Sequence, residues 1–245
     1  MNNSAYQIAI PNLLLLFIPV AIVCFAYIKW SLPVKTLFYA TGRMIAQLIC
    51  VGYALVVIFT QSNFLVSSAI LIFMLLISSW IALRPIKRIR KKLYSKALLA
   101  IFGGGVPILV LVVGCVVQLR PWYMPRYLIP LAGMIFANSM NSVSLCAERF
   151  HSEREEGQSY SMARNIAYQA GLIPLLNSFF AVGLVSIPGM MTGQILAGIS
   201  PLLAVRYQMM VMGMLLGACG ISSAIYLLLL KKEEEKADTE SVGGP

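Results

Sequence analysis

The stretch Leu172–Pro201, LIPLLNSFFAVGLVSIPGMMTGQILAGISP, carries no charge and is too long and too broken to be one plain helix. A straight helix over it would run roughly 45 Å at 1.5 Å per residue, against a hydrocarbon core of about 30 Å. Pro174, Pro188 and glycines at 183, 189, 193 and 198 interrupt it. Lipid tolerates freed backbone groups only where protein or a water-filled cavity satisfies them. Broken helices of this kind are a signature of transporters. The segment reads as part of a substrate route rather than as a simple anchor.

Outward from it, the chain is 59% hydrophobic and 11% charged, the composition of a polytopic membrane protein. Apolar runs predict an all-α protein with about seven transmembrane helices, near 11–28, 37–59, 64–83, 97–119, 127–147, 171–199 and 207–230. Each approaches or exceeds the roughly 20 residues that a membrane helix needs. The expected organisation is one transmembrane domain over 1–230, with a disordered, mixed-charge cytoplasmic tail over 231–245. The start, MNNSAYQ, lacks a basic n-region, so no cleaved signal peptide is expected.

The net charge of +10 raises the question of nucleic acid, but its distribution points to the membrane. Arg84, Lys87, Arg88, Arg90, Lys91, Lys92 and Lys96 fill the link between the third and fourth spans, which the positive-inside rule places in the cytoplasm. Alternation then puts every other Lys and Arg inside too, except Arg120, Arg126 and Arg206. The predicted orientation is amino terminus out, carboxyl terminus in. The apolar residues Ile86, Ile89 and Leu93 recur at helical spacing, as on an interfacial amphipathic helix. A similar reading suits Tyr160–Gly171, a short helix under the membrane. No nucleic-acid role is expected.

All nine acidic residues lie in the polar stretch 147–171 or in the tail. The spans therefore hold no carboxylate for a proton relay or a hard-cation cage, and no metal-ligand set is predicted. His151, the single histidine, reads as a loop residue. The five cysteines stand apart, without metal or disulfide spacing. No pair of titratable groups inside a span offers a nucleophile and base, so no catalytic residues are expected. The pattern G-x-x-x-x-G-K-[ST] is missing. No cofactor is expected, and any ATP would be bound by a partner subunit.

The polarity that the spans do carry is amide and hydroxyl. Asn138, Asn141 and Ser142 recur at i, i+3 and i+4 and are candidates for lining a path. Asn177 lies early in the broken span, and Gln194 lies after its break. Interhelical hydrogen bonding is the ordinary alternative for each. Pro188, Gly189, Met190 and Met191 are candidates for a hinge or constriction, since proline removes a helical hydrogen bond. Gly189 with Gly193, and Gly213 with Gly217, have close-approach spacing. Met190, Met191, Met209, Met210, Met212 and Met214 form a polarisable set, for which core packing outweighs soft-metal binding.

Three stretches carry a family resemblance: GRMIAQLICVGY (Gly42–Tyr53), IPLAGMIFANSM (Ile129–Met140), and the run from Leu172 to Gln208 with VGLVSIPGMMTGQILAG and AVRYQ. The chain resembles the FetB-type permeases of ABC transporters, held to export iron, to which plant aluminium-tolerance permeases are related. The resemblance implies a multi-pass permease subunit in the cell membrane. It would act as a homodimer with two copies of a separate ABC ATPase and export iron or another metal ion. It also places an ATPase-coupling element over Glu153–Arg164, with Glu153, Arg154, Glu155, Glu156 and Arg164 at its polar contacts. The alternatives are a permease for a non-metal solute, an intramembrane enzyme, or a scaffold subunit that does not transport.

Overall fold

The computed structural model describes residues 9–60 and 63–242. The chain forms two compact units, residues 1–61 and 62–245. The first contains α1 (Ile10–Leu14), α2 (Phe17–Lys29) and α3 (Val34–Thr60). Most of its described side chains are exposed, several are half-buried, and Cys24 is buried. Such apolar exposure suits helices that are solvated by lipid rather than water.

The second unit contains α4 (Phe64–Ala82), α5 (Arg90–Leu111, ending in a π-helical turn at Val112–Val116), α6 (Pro125–Glu155), α7 (Tyr160–Ala181), α8 (Gly189–Leu196) and α9 (Pro201–Val242). Helices α5, α6 and α9 pack on one another at its centre, with α4 on α5 and α6, and α7 on α6 and α9. Among the described residues there is no strand, only an isolated bridge between Val182 and Ser186. Among the described residues, six helical segments are long and apolar enough to cross a membrane: Pro11–Lys29, Val34–Phe59, Phe64–Ala82, Arg90–Val116, Pro125–Glu155 and Pro201–Lys231. The chain is thus an all-α, multi-pass membrane protein.

The span expected over 171–199 is broken, as its prolines and glycines imply, into the end of α7 and the short α8. Helix α7 starts earlier, at Tyr160, and absorbs the helix expected to lie under the membrane. Ser159 caps it by accepting from the Met162 N–H, as N-cap serines do. Pro174 lies inside it, and the helix continues to Ala181. There the chain turns back: the N–H groups of Val185 and Ser186 donate to the Ala181 carbonyl at 2.8 and 3.1 Å. Gly183 supplies the positive φ of +82° that only glycine adopts without strain. Helix α8 then begins at Gly189 and closes in a Schellman cap: Gly198 (φ +89°) donates to Ile195 and Ile199 donates to Gln194. Ser200 and Pro201 open α9 directly afterwards. Pro188 therefore marks the start of a short helix, not a kink inside a span.

Helix α7 has 22 residues, about 33 Å of helix, and runs antiparallel along α9. The Tyr160 hydroxyl donates to the Leu227 carbonyl at 2.7 Å, the Tyr168 hydroxyl approaches Gly220, and residues 179–183 share a cavity with residues 205–213. The broken segment consequently lies at one end of the bundle. Aromatic residues mark both ends. Phe64 stacks edge-on with Trp122 at 5.3 Å, and Ser67 donates to the Tyr123 carbonyl. At the other end of α4, Trp80 stacks edge-on with Tyr94 at 5.6 Å and lies 3.7 Å under the Arg90 guanidinium. The two clusters are about 24 Å apart along α4, in keeping with aromatic belts at two membrane interfaces.

The basic link differs from the expected interfacial helix. Residues 83–89 are a turn, and Arg90, Lys91 and Lys92 open α5. Ile86 and Ile89 rest on the core and Leu93 is buried, so the apolar spacing serves a corner rather than a helix on the membrane surface.

Candidate functional site

The centre of the second unit is a seam of small and hydroxyl-bearing residues. Gly103, Gly104 and Gly105 let α5 sit between α9 and α6. A methyl at Gly104 would lie 2.5 Å from the Ser222 nitrogen, and one at Gly105 3.0 Å from Ile135. On α7, a methyl at Gly171 would lie 2.9 Å from the Ser142 carbonyl and against the Cys146 sulfur. At Gly104 and Gly171 the obstacle includes backbone, so the seam has no slack.

Along this seam α6 contributes Ser139, Ser142 and Cys146, and α9 contributes Cys219, Ser222, Ser223 and Tyr226. All seven are buried. Cys219 lies beside Ser139 and Ser142, and Cys146 beside Ser223. The Cys146 thiol donates to the Ala167 carbonyl at 3.3 Å. The hydroxyls of Ser222 and Tyr226 have no hydrogen-bond partner, and those of Ser139 and Ser223 have only a neighbouring thiol, a weak partner. A buried donor without a partner costs roughly 1–3 kcal/mol. A chain that needed only packing there would do better with alanine. Together with the thiols, these hydroxyls form a polar lane with no formal charge.

At the end of α9 where the lane leaves the basic corner, α7, α8 and α9 surround a cavity of about 630 Å³. Pro188, Met191, Met209 and Met212 line it, and so does Gln208, which is 7% exposed with an unpartnered Oε1. Gln194 on α8 also has a buried, unpartnered Oε1. Gly189 and Gly193 are exposed, and a methyl group added at either would meet nothing within 4 Å. Neither glycine makes a close approach within the chain. Met190 is half-buried against the core.

The trio in α6 separates. Asn138 spends its amide on its own helix, donating to the Met134 carbonyl at 2.8 Å. Ser142 enters the seam. Asn141 is exposed and, with Ser144, Arg84 and Lys87, lines a cavity of about 470 Å³ beside the basic link. Consecutive helical residues differ by about 100°, so positions 141 and 142 point to different neighbours. Asn177 is exposed on α7.

The stretch Glu153–Arg164 is a helical corner. Glu153, Arg154 and Glu155 end α6, Gly157 turns the chain with φ +85°, and Arg164 lies in the first turns of α7. Glu153 is 4% exposed and paired with Arg149 at 2.6 Å. Arg154 donates to the Gln158 carbonyl at 2.6 Å, and Arg164 to Asn165 Oδ1 at 2.9 Å. Glu155 and Glu156 are exposed. Glu155 lines a groove of about 490 Å³ with Glu148, His151, Lys87 and Arg88. Among the described residues, no three His, Cys, Asp or Glu side chains converge as a metal site.

Sequence reading missed Ser139, Ser222, Ser223, Tyr226 and Gln208. Positions 219, 222, 223 and 226 do recur at i, i+3, i+4 and i+7, a signal that the glycines and methionines of the same helix obscured.

Comparison with known proteins agrees with this architecture. The chain is 38% identical over 195 residues to the UPF0014 membrane protein slr1647 of Synechocystis, covering 74% of this chain and 75% of that protein. It is 35% identical over 206 residues to the Probable iron export permease protein FetB of Escherichia coli, covering 78% of each. It is 29% identical over 202 residues to Protein ALUMINUM SENSITIVE 3 of Arabidopsis thaliana, covering 76% and 72%. No solved structure matches. Residues 10–233 match the family described as Uncharacterised protein family (UPF0014), and the chain belongs to that family.

Proposed function

We propose that this chain is the membrane-spanning permease subunit of an ABC transporter that moves a metal ion out of the cell. It works as a homodimer with two copies of a separate ATPase. The observation that carries the reading is the lane of buried hydroxyls between α6 and α9, among which Ser222 and Tyr226 have no partner. Such groups are costly in a membrane interior and mark substrate pathways when they are kept. The similarity to a FetB protein named as an iron export permease supplies the direction and the cargo class. In this reading α7 completes a seventh crossing, the basic corner faces the cytoplasm, and the amino terminus is outside. Residues 1–230 form the permease domain, followed by a charged tail at 231–245. The corner at Glu153–Arg164 and the neighbouring basic turn at 84–89 meet the ATPase.

Reconstitution tests it. The chain and its candidate ATPase should copurify and, in proteoliposomes, couple ATP hydrolysis to movement of a metal ion. Absence of both copurification and ATP-driven flux would sink the proposal. A non-metal solute is the second reading, favoured by the lack of any Asp or Glu in the predicted spans, the carboxylates of α6 being confined to its last turns from Glu148 on. It wins if organic solutes, and no metals, stimulate the ATPase. Orientation is read separately, with Cys50 and Cys115 replaced by alanine. An impermeant thiol reagent should label Arg126→Cys from outside and Ser95→Cys only after the membrane is opened. The reverse pattern inverts the topology.

A further inference from the structure

We propose that the cavity between the end of α7, α8 and the start of α9 binds a soft monovalent cation of the Cu(I) and Ag(I) class. Its donors are the thioethers of Met191, Met209 and Met212 and the carbonyl oxygen of Gln208. Sequence pattern alone favours core packing for these methionines, but the three line open space rather than core: the cavity is about 630 Å³, and Met209 is 62% exposed. Gln208 gives an independent indication. It is nine-tenths buried, its side chain lines the same space, and its Oε1, shielded just behind the wall of that space, has no partner. A glutamine left that way costs free energy that a bound cation would return.

The donor set selects the ion. Thioethers are soft, neutral ligands that favour Cu(I) over hard ions, which take carboxylate, carbonyl and water oxygen. Charge makes the same choice. No acidic residue lies in α7, α8 or the first thirty residues of α9, so nothing nearby compensates a multivalent ion. The desolvation cost of an ion grows with the square of its charge, so a divalent ion would pay roughly four times what a monovalent one does. Unbranched methionine side chains are adaptable enough to close on an ion from across a cavity. The broken backbone keeps the space open: α7 ends at Ala181, α8 is short, and Gly213 presents no side chain on the facing helix. Binding stands on the cavity itself. That the bound ion is cargo rests on the permease reading.

The test is an oxidation footprint on the purified wild-type chain, with Ag(I) as the probe because it does not redox-cycle with peroxide. Thioether oxidation to sulfoxide reports sulfur availability. Mass spectrometry then resolves each methionine, so silver held by cysteines does not enter the readout. Saturating Ag(I) should slow oxidation of Met191, Met209 and Met212 by about fivefold or more. Met44 and Met162, both half-exposed and remote in sequence, should be unchanged. The triple variant Met191→Leu, Met209→Leu, Met212→Leu conserves side-chain volume and should lose at least about tenfold in Ag(I) affinity. Unaltered oxidation at the three positions, or equal slowing at all methionines, overturns the site. ATP-driven movement of another metal with no methionine protection removes the site and leaves the permease. Protection with no ATP-driven flux of any metal does the reverse.

Discussion

The two ends of α9 solve opposite problems with the same helix. From Cys219 to Tyr226, α9 is pressed against the glycines of α5 and the serines of α6 so closely that Gly104 cannot carry a methyl. From Val205 to Gly213 it borders a cavity, and Gly213 has nothing within 4 Å of its missing side chain. Both ends keep buried polar atoms without partners. In the seam there is no room for water to repair them. At the cavity there is room for a ligand. An unsatisfied hydroxyl in a closed seam and an unsatisfied amide beside open space are therefore different situations: the first is relieved only if the helices separate, the second by a side-chain movement alone.

Substitutions break that comparison in graded ways. The largest effect is expected at Gly104→Val. It drives side-chain atoms into the Ser222 backbone, and overpacking of this kind costs roughly 1–3 kcal/mol or more. Thermal unfolding in detergent should shift strongly downward, whereas Gly213→Val should be nearly silent. Equal shifts would mean that the seam is not the tighter end.

A second, functional effect is expected at Ser222→Ala and Ser223→Ala. Removing an unpartnered or weakly partnered hydroxyl returns up to roughly 1–3 kcal/mol, so stability should hold or rise while transport falls several-fold. Stable variants with full transport would reduce the lane to packing.

Glu153→Gln comes next. It breaks the pair with Arg149, leaving that partly exposed cation without its carboxylate. A loss of stability on the order of 1 kcal/mol should be seen, with copurification of the ATPase retained. Loss of ATPase binding at unchanged stability would restore Glu153 as a docking contact. Reversal of Glu155 and Glu156 to lysine, both exposed, should weaken ATPase association modestly and make it more salt-dependent, as rim charges do. No change in copurification would move the docking surface elsewhere.

The smallest structural effect is expected at Gly189→Leu. A side chain there meets open space, so insertion and thermal stability should match the wild type, and a fall in transport would then isolate a hinge or constriction. Normal transport would empty the Pro188–Gly189 reading of function.

Much of the architecture is legible in the residues one at a time. Apolar runs locate the helices because lipid imposes length and removes charge, whereas the spacing of Ile86, Ile89 and Leu93 reads as a surface helix and turns out to be a corner. The broken segment is legible as broken, but not as the end of a bundle. Local sequence suffices for the start of α8 at Pro188, the turn at Gly183 and the cap at Gly198, whereas the packing of α7 along α9, which sets this segment at the end of the bundle, is a tertiary contact. Pro174 shows the converse: the residue looks like a stop, yet neighbouring helices carry α7 through it.

The candidate site divides along the same line. Composition and spacing determined that this is an all-α membrane protein whose spans offer amide, hydroxyl and sulfur groups but no carboxylate, because those are properties of single residues and single helices. Only the tertiary structure decided which of those groups meet. Asn138 turns back on its own helix, Asn141 faces the basic turn, and Ser142 joins Cys219 from far along the chain. Whether a hydroxyl is satisfied, orphaned or beside a cavity depends on the helix opposite, and the phase and register of that helix are set by glycine contacts between segments more than one hundred residues apart.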